Sequence, residues 1–152
     1  LILWLAVMSL VVGLIIFGTG ELLVISNQTV IIFEKSDILW RFLLAYGFAS
    51  LGMSVVASLA FLFSSLVENS IGPIVSTMAV IIVFIILSAI NIDFFQTIKP
   101  YLFTNYILSW RLFFDDPVDF AEVTKATLIL AGHIAIFFSL ALYLFKRKDI
   151  LT

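Results

Sequence analysis

KPYLFTNYILSWRLFFDDP, residues Lys99–Pro117, lies between two long apolar runs, Ile71–Ile92 and Ala126–Phe145. The segment has too many charges and too early a proline to be a membrane span itself. Its tryptophan, tyrosine and phenylalanine side chains are of the kind that settle at a membrane–water interface. We therefore expect a membrane-skimming or re-entrant segment, helical from about Phe103 to Phe114, that caps one side of a helix bundle.

Composition places the rest of the chain in a membrane. Of the 152 residues, 63% are hydrophobic and 12% are charged, whereas a soluble domain is about half apolar and about a quarter charged. A chain of this length cannot bury so much apolar surface in its own core, so lipid must cover it. The net charge of −2 gives no electrostatic case for nucleic-acid binding. The absence of cysteine excludes disulfide and thiol chemistry.

Four apolar runs are long enough, or nearly so, to cross a bilayer as helices. They are Leu1–Gly18, Phe42–Val67, Ile71–Ile92 and Ala126–Phe145. The first amounts to about 27 Å of helix, close to a hydrocarbon core of about 30 Å. The sequence therefore predicts an all-α fold, a single membrane domain over residues 1–152 with four spans and the re-entrant segment. Because the chain opens inside an apolar run without methionine, we expect it to be the later part of a longer protein.

The connections between the spans carry recognisable start signals. Glu21–Trp40 is predicted to be a loop whose apolar centre, Val30–Phe33, is either a short strand or an interfacial turn. Ser36 or Asp37 can cap the second span. In the tight turn that follows it, Asn69 or Ser70 can cap the third, and Pro73 then falls in the first helical turn, where proline is tolerated.

The second predicted span carries small residues at helical spacing. They are Gly47, Ser50, Ser54, Ala57, Ser58 and Ser65. Their spacing puts them on one face of a helix, where small side chains let helices pack closely in lipid. We interpret this stripe first as a packing surface, and a face that lines a substrate path is the alternative.

The charge pattern leaves both membrane orientations open. Three adjacent cations, Lys146 to Lys148, follow the last span and favour a cytoplasmic tail. Five other cations lie in the two loops that would then be outside: Lys35, Arg41, Lys99, Arg111 and Lys125. The tail has the higher density beside a span, and most loop cations have acidic neighbours, so the cytoplasmic tail is the preferred reading.

Sequence motifs for catalysis or nucleotide binding are missing. No glycine is followed by lysine, so the chain has no GxxxxGK[ST] loop with which to bind ATP. His133 is the only histidine, which leaves no HExxH motif or histidine cluster for a metal. No serine lies in a GxSxG motif. We predict no catalytic, cofactor-binding or metal-binding residue, and a neutral His133 imidazole bonded to a neighbouring helix.

Four features in order resemble one transporter family. The first feature is the stretch Leu43–Ser70, which begins with LLAY and ends with SLAFLFSSLVENS. The second is the segment PYLFTNYILSW (Pro100–Trp110), which follows the next span. An Asp116-Pro117 step comes next, and the last span runs into FKRKDI (Phe145–Ile150). Over about Trp40–Leu151 the chain resembles the C-terminal part of the membrane permease of ATP-binding cassette (ABC) transporters of the type-2 exporter class. Glu68 departs from that pattern, because relatives commonly have a basic residue there.

The resemblance implies a topology and a set of partners. The family permease has six spans with cytoplasmic ends, so the four spans here would be its third to sixth. Lys99–Thr124 would be the extracytoplasmic re-entrant helices, and the coupling helix that grips the ATPase would lie upstream of Leu1. The expected partners are cytoplasmic ATPase subunits, which hold ATP and Mg, a second permease copy or paralogue, and the lipid bilayer. The expected location is the cell membrane, as a multi-pass protein of the bacterial inner membrane.

Candidate functional residues follow from this reading. The substrate path is assigned to Ser76, Thr77, Ser88 and Asn91, the outer gate to Tyr101, Phe103, Tyr106 and Trp110, and the cytoplasmic partner contact to Glu68, Asn69, Lys146 and Arg147. Two other functions remain as alternatives. A polytopic membrane enzyme would need converging His, Asp or Glu side chains near a span end, and here they are scattered singly. A membrane assembly protein without transport activity is the other.

Overall fold

The computed structural model describes residues 2–18, 21–26, 29–90 and 92–149. The elements, in chain order, are α1 (Ile2–Phe17), β1 (Leu22–Ser26), β2 (Thr29–Phe33), α2 (Lys35–Leu66), α3 (Gly72–Ala89), α4 (Asp93–Ile98) and α5 (Phe120–Asp149). Three short 3₁₀ helices, Lys99–Tyr101, Phe103–Asn105 and Ile107–Phe114, lie between α4 and α5. We call residues 99–117 the aromatic segment.

Three helices in the described part of the chain are long and apolar enough to cross a membrane: α2, α3 and α5. The first predicted span forms α1, a shorter apolar helix of 16 residues, or about 24 Å. Many large apolar side chains on these helices point outward, and Ile74, Ile85 and Leu128 are each more than half exposed. Such a surface is suited to lipid contact, as the composition predicts for a membrane protein.

The expectation of an all-α fold is wrong for residues 22–26 and 29–33. β1 and β2 form an antiparallel hairpin, in which Leu22 is opposite Phe33 and Val24 is opposite Ile31. The strand alternative for Val30–Phe33 is therefore the correct one. The physical reason is local, because β-branched residues such as Val24 and Ile31 fit a pleated strand better than a helix.

Two of the three long helices begin earlier than the apolar pattern predicted. α2 begins at Lys35 instead of about Phe42, and no side-chain cap hydrogen bond is made there. Ser36 and Asp37 are therefore first-turn residues and not caps. The negative charge of Asp37 there interacts favourably with the positive end of the helix dipole. α5 begins at Phe120 instead of Ala126, because Asp119 Oδ1 accepts hydrogen bonds from the backbone N–H groups of Ala121 (3.0 Å) and Glu122 (3.1 Å).

The short turn between α2 and α3 contains Asn69, a predicted cap, although the residue that bounds α3 is Ile71, which has no side-chain cap hydrogen bond. Asn69 Oδ1 accepts a hydrogen bond from the backbone N–H of Gly72 at 2.6 Å, and Pro73 lies in the first turn of α3. A β-carbon on Gly72 would approach Val67 Cγ1 to 2.5 Å and Asn69 Oδ1 to 2.7 Å. A side chain at position 72 would therefore require the Val67 and Asn69 side chains to shift.

Helices α2 and α5 run parallel, with the aromatic segment packed against both. Near the start of α2, Arg41 contacts Asp115, which lies just before α5. Twenty residues later, Phe61 stacks on Phe138 of α5 with ring centroids 5.8 Å apart. Both helices therefore end at the same end of the bundle. This places the turn at residues 67–71 and the basic end of α5 at the same end of the bundle.

The small-residue stripe of α2 does not form one packing surface within the chain. Ser50 and Ser58 are buried, but Gly47, Ser54 and Ala57 are exposed. The hydroxyl groups of the serines in this stripe, Ser65 included, donate to carbonyl oxygens of α2 itself. The aromatic segment approaches α2 most closely at Gly52 instead. A β-carbon placed on Gly52 would lie 3.6 Å from Ile107 Cγ2. Helical spacing alone could not distinguish the two faces, because small residues occur on both.

Candidate functional site

Arg41 holds the C-terminal end of the aromatic segment against α2. Its Nη1 donates hydrogen bonds to the carbonyl oxygens of Phe113 and Asp115, each at 2.8 Å. Its Nη2 lies 3.8 Å from Asp116 Oδ1, and Asp116 precedes a cis peptide bond to Pro117. The Arg41 side chain is only 6% exposed, whereas that of Asp116 is 63% exposed. The two carbonyl bonds therefore contribute more than the ion pair, which is loose and largely solvated.

The guanidinium of Arg41 also contacts two aromatic rings. Its Cζ lies 4.2 Å from the ring centroid of Phe33 and 4.9 Å from that of Trp40. Phe33 ends β2 and is buried, so the hairpin covers one side of the charge. A cation over ring faces is stabilised by the ring quadrupole, more strongly when water is excluded. Arg41 thus joins the hairpin, α2 and the aromatic segment at one end of the bundle.

The N-terminal half of the aromatic segment enters the bundle core. Phe103 is fully buried. Its ring packs edge-on against Phe84 of α3 at 5.6 Å and against His133 and Phe137 of α5 at 5.6 Å and 6.1 Å. His133 is thirteen residues into α5, which corresponds to about 20 Å of helix. The segment therefore reaches well below the start of α5, in short 3₁₀ turns where the sequence predicted one helix from Phe103 to Phe114.

The predicted outer-gate residues occupy different environments. Tyr101 is 74% exposed and Phe103 is part of the core. Tyr106 and Trp110 are half-buried; the Tyr106 hydroxyl donates to the carbonyl oxygen of Pro100 at 2.8 Å, and the Trp110 ring meets Phe114 at 6.2 Å. Only Tyr101 has a side chain that is mostly exposed, so the four do not form one cluster of free rings.

The predicted substrate-path residues are also not brought together. Thr77 is buried and donates to the carbonyl oxygen of Pro73 at 2.7 Å, and Ser88 donates to that of Phe84 at 2.8 Å. Ser88 is eleven positions after Thr77, which corresponds to about 16 Å of α3. Ser76 is half-buried beside Thr77, and Asn91 lies outside the described residues. Both hydroxyl donors are thus used within their own helix.

We expected His133 to bond to a neighbouring helix, but its hydrogen bond lies within its own helix. Its Nδ1 lies 2.8 Å from the carbonyl oxygen of Ile129, one turn earlier in α5. Because a carbonyl oxygen only accepts, Nδ1 carries the proton. Its ring packs against Phe103 and against Phe137 at 5.7 Å. His133 is therefore a packed aromatic side chain with its Nδ1 bonding capacity satisfied.

The predicted partner-contact residues lie at the other end of the bundle. Glu68 and Asn69 are exposed in the turn before α3. Lys146 and Arg147 are exposed near the end of α5, and the Arg147 guanidinium lies 6.0 Å from the Tyr143 ring centroid. The parallel course of α2 and α5 brings this acidic turn and basic helix end to one side of the molecule.

A cleft that the sequence did not indicate separates the second half of α1 from the first turns of α2. Its volume is about 520 Å³. Most of its surface is apolar, and it has aromatic rings on both sides, from Phe17 and from Phe42 and Tyr46. Glu21 is the only charged residue in its described wall. Gly13 leaves the α1 side open, because a β-carbon there would meet nothing within 4 Å.

The role of Arg41 is the main feature that sequence analysis missed. A single arginine before an apolar run is typical of an interfacial cation, and nothing in its position indicates a partner 72 residues away. No group of three or more His, Asp or Glu side chains that could hold a metal occurs in residues 2–18, 21–26, 29–90 and 92–149. No family model, curated protein or solved structure matches this chain.

Proposed function

We propose that this chain is the C-terminal part of the permease subunit of an ABC transporter of the type-2 exporter class. In this proposal α1, α2, α3 and α5 are the third to sixth spans of the permease. The aromatic segment is the extracytoplasmic re-entrant element, and the turn at residues 67–71 and the end of α5 face the cytoplasm. The protein would then be a multi-pass protein of the cell membrane, and the bacterial inner membrane is the proposed location.

The observation that best supports the proposal is the path of the aromatic segment. It begins after α4, places Phe103 in the core between α3 and α5, and returns to Arg41 at the start of α2. Irregular backbone at membrane depth is tolerated only where protein covers it or water reaches it. A segment held in this way by three apolar helices fits the re-entrant element that the sequence resemblance implies.

Transport would be driven from outside the chain. The sequence has no phosphate loop, so ATP and Mg would be bound by cytoplasmic ATPase subunits. Closure of those subunits would rock α2, α3 and α5 against a second permease copy or paralogue and open a path outward. Ser76, Thr77 and Ser88 would be polar contacts on that path, and Tyr101, whose ring is exposed, the best candidate for the outer gate.

Co-purification is the experiment that tests this proposal. The full-length protein, isolated in a mild detergent, is expected to retain a soluble subunit with a phosphate loop, identified by mass spectrometry. ATP hydrolysis should be measurable in that complex and lost when the ATPase is washed away. A Lys146→Glu/Arg147→Glu variant should retain less ATPase than a Lys125→Glu variant at the opposite end of α5. Hydrolysis by the isolated chain, or a complete absence of any such subunit, would refute the proposal.

A further inference from the structure

The cleft between α1 and α2 has the dimensions and chemistry of a small-molecule site. Its volume of about 520 Å³ lies within the range of about 300–1,000 Å³ that is usual for sites that hold drug-sized ligands. Its wall is mostly apolar, with Leu10 and Leu14 from α1 and Ile38 and Leu39 from α2. It lies beside the first turns of α2, at the bundle end where Arg41 holds the aromatic segment.

The wall of this cleft carries one sign of charge. Glu21 is its only charged residue, and no described wall residue is a cation that could neutralise it. The aromatic side chains of Phe17, Phe42 and Tyr46 line the same space, and the rings of Phe42 and Tyr46 are 6.4 Å apart. A carboxylate together with aromatic ring faces attracts organic cations, through charge and through the ring quadrupole. An anion of the same size would meet the carboxylate with repulsion.

The position of Phe42 makes the cleft wall firm. On one side its ring contacts Phe114 of the aromatic segment, edge-on at 5.1 Å, and on the other it faces the cleft. Phe114 lies next to Phe113, whose carbonyl oxygen is bonded to Arg41. The Phe42 side of the wall is thus held by the aromatic segment, and Tyr46 lies beside Phe42, so little freedom of these two side chains is lost on binding.

We propose that the cleft between α1 and α2 binds a lipophilic organic cation, with Glu21 at the charged group and Phe42 and Tyr46 against its apolar part. The site goes beyond the proposed transport function, because it requires only this chain and a membrane-soluble ligand.

A pair of probes of equal shape and opposite charge tests the proposal. Tetraphenylphosphonium is the cation and tetraphenylborate the anion. Binding to the purified full chain in phosphatidylcholine nanodiscs is measured by equilibrium dialysis, with empty nanodiscs subtracted. We expect saturable binding of tetraphenylphosphonium and none of tetraphenylborate. Glu21→Gln should weaken binding of the cation by about tenfold. Glu34→Gln, at an exposed carboxylate outside the cleft wall, should leave it unchanged.

Filling the cleft gives a second test that does not depend on charge. Gly13→Phe places a ring in the open space and should abolish saturable binding of the cation. Gly132→Phe is the matched control, because Gly132 also has nothing within 4 Å of a β-carbon but lies on α5, away from the cleft. The proposal is overturned if Glu21→Gln binds the cation as tightly as the wild type, or if Glu21→Gln and Glu34→Gln lose affinity equally. It is also overturned if tetraphenylborate binds as well as tetraphenylphosphonium, or if Gly13→Phe still binds the cation saturably.

Discussion

Arg41 Nη1 donates a hydrogen bond of 2.8 Å to the carbonyl oxygen of Phe113, 72 residues further along the chain. The bond is buried, and Phe33 and Trp40 cover the guanidinium around it. It fixes the returning end of the aromatic segment at the start of α2. The way this segment is held in the bundle, and the side of the membrane on which it lies, can both be tested.

Removing the Arg41 guanidinium should release the end of the segment. Arg41→Met keeps the apolar stem but leaves the carbonyl oxygens of Phe113 and Asp115 without their donor. Loss of buried charge-assisted hydrogen bonds should lower the free energy of unfolding by about 2–4 kcal/mol. The midpoint of thermal unfolding in detergent measures this. Arg111→Met is the control, because Arg111 is exposed and its ring contact, with Trp110, is longer at 5.6 Å.

The ion pair of Arg41 should matter much less than its carbonyl bonds. Asp116→Asn removes the carboxylate that lies 3.8 Å from Nη2 and is 63% exposed. A solvated pair of this kind contributes about 0–1 kcal/mol, so the unfolding midpoint should stay near that of the wild type. If Asp116→Asn destabilised the protein as much as Arg41→Met, charge pairing and not the carbonyl bonds would hold the segment.

A large side chain at position 52 should displace the middle of the segment. A β-carbon on Gly52 lies 3.6–3.8 Å from Ile107, so Gly52→Ala fits but Gly52→Leu does not. Overpacking of this kind typically costs about 1–3 kcal/mol. Gly47→Leu, on the open face of the same helix, should be tolerated. Equal unfolding midpoints for Gly47→Leu and Gly52→Leu would show that the segment does not pack on α2 at Gly52.

Truncating Phe103 should be the most damaging change in the segment. Its ring is fully buried among Phe84, His133 and Phe137, so Phe103→Ala leaves a cavity that costs about 3–5 kcal/mol. Tyr101→Ala, two residues earlier and 74% exposed, should change stability by less than about 0.5 kcal/mol. Tyr101→Ala is therefore the better variant for testing an outer gate in transport assays. A change in its transport rate would not be due to unfolding.

Membrane orientation can be tested with single cysteines, since the chain has none of its own. Asp119 and Ser70 are both exposed and lie at opposite ends of the bundle. We expect Asp119→Cys to react with an impermeant thiol reagent in intact cells, and Ser70→Cys only after the cells are opened. The reverse pattern would invert the topology. A reaction of both in intact cells would mean that the α2–α3 turn is not cytoplasmic.

The sequence by itself determined the long apolar helices and the ends of several elements. Runs such as Ile71–Ile92 are apolar at nearly every position, so a helix covered by lipid is the structure that satisfies their backbone groups. Asn69 and Pro73 mark the start of α3 because their effects are local. The proline and charges of the aromatic segment also indicated that it is not a membrane-spanning helix, and it forms three short 3₁₀ helices. The hairpin at residues 22–33 was only one of two alternatives, because five-residue apolar runs do not distinguish a strand from a turn.

Only the tertiary structure decided which residues meet. Nothing local to Arg41 specifies that its donors reach Phe113 and Asp115, because that contact depends on how α2, α3 and α5 pack. The same holds for Gly52. The sequence does not distinguish it from the other small residues of α2, and only the fold places Ile107 against it. The cleft at Glu21 is likewise lined by residues of α1, β1 and α2 that only the fold brings together. Periodicity along a chain records which residues share a face, but contacts between distant segments are set by packing in three dimensions.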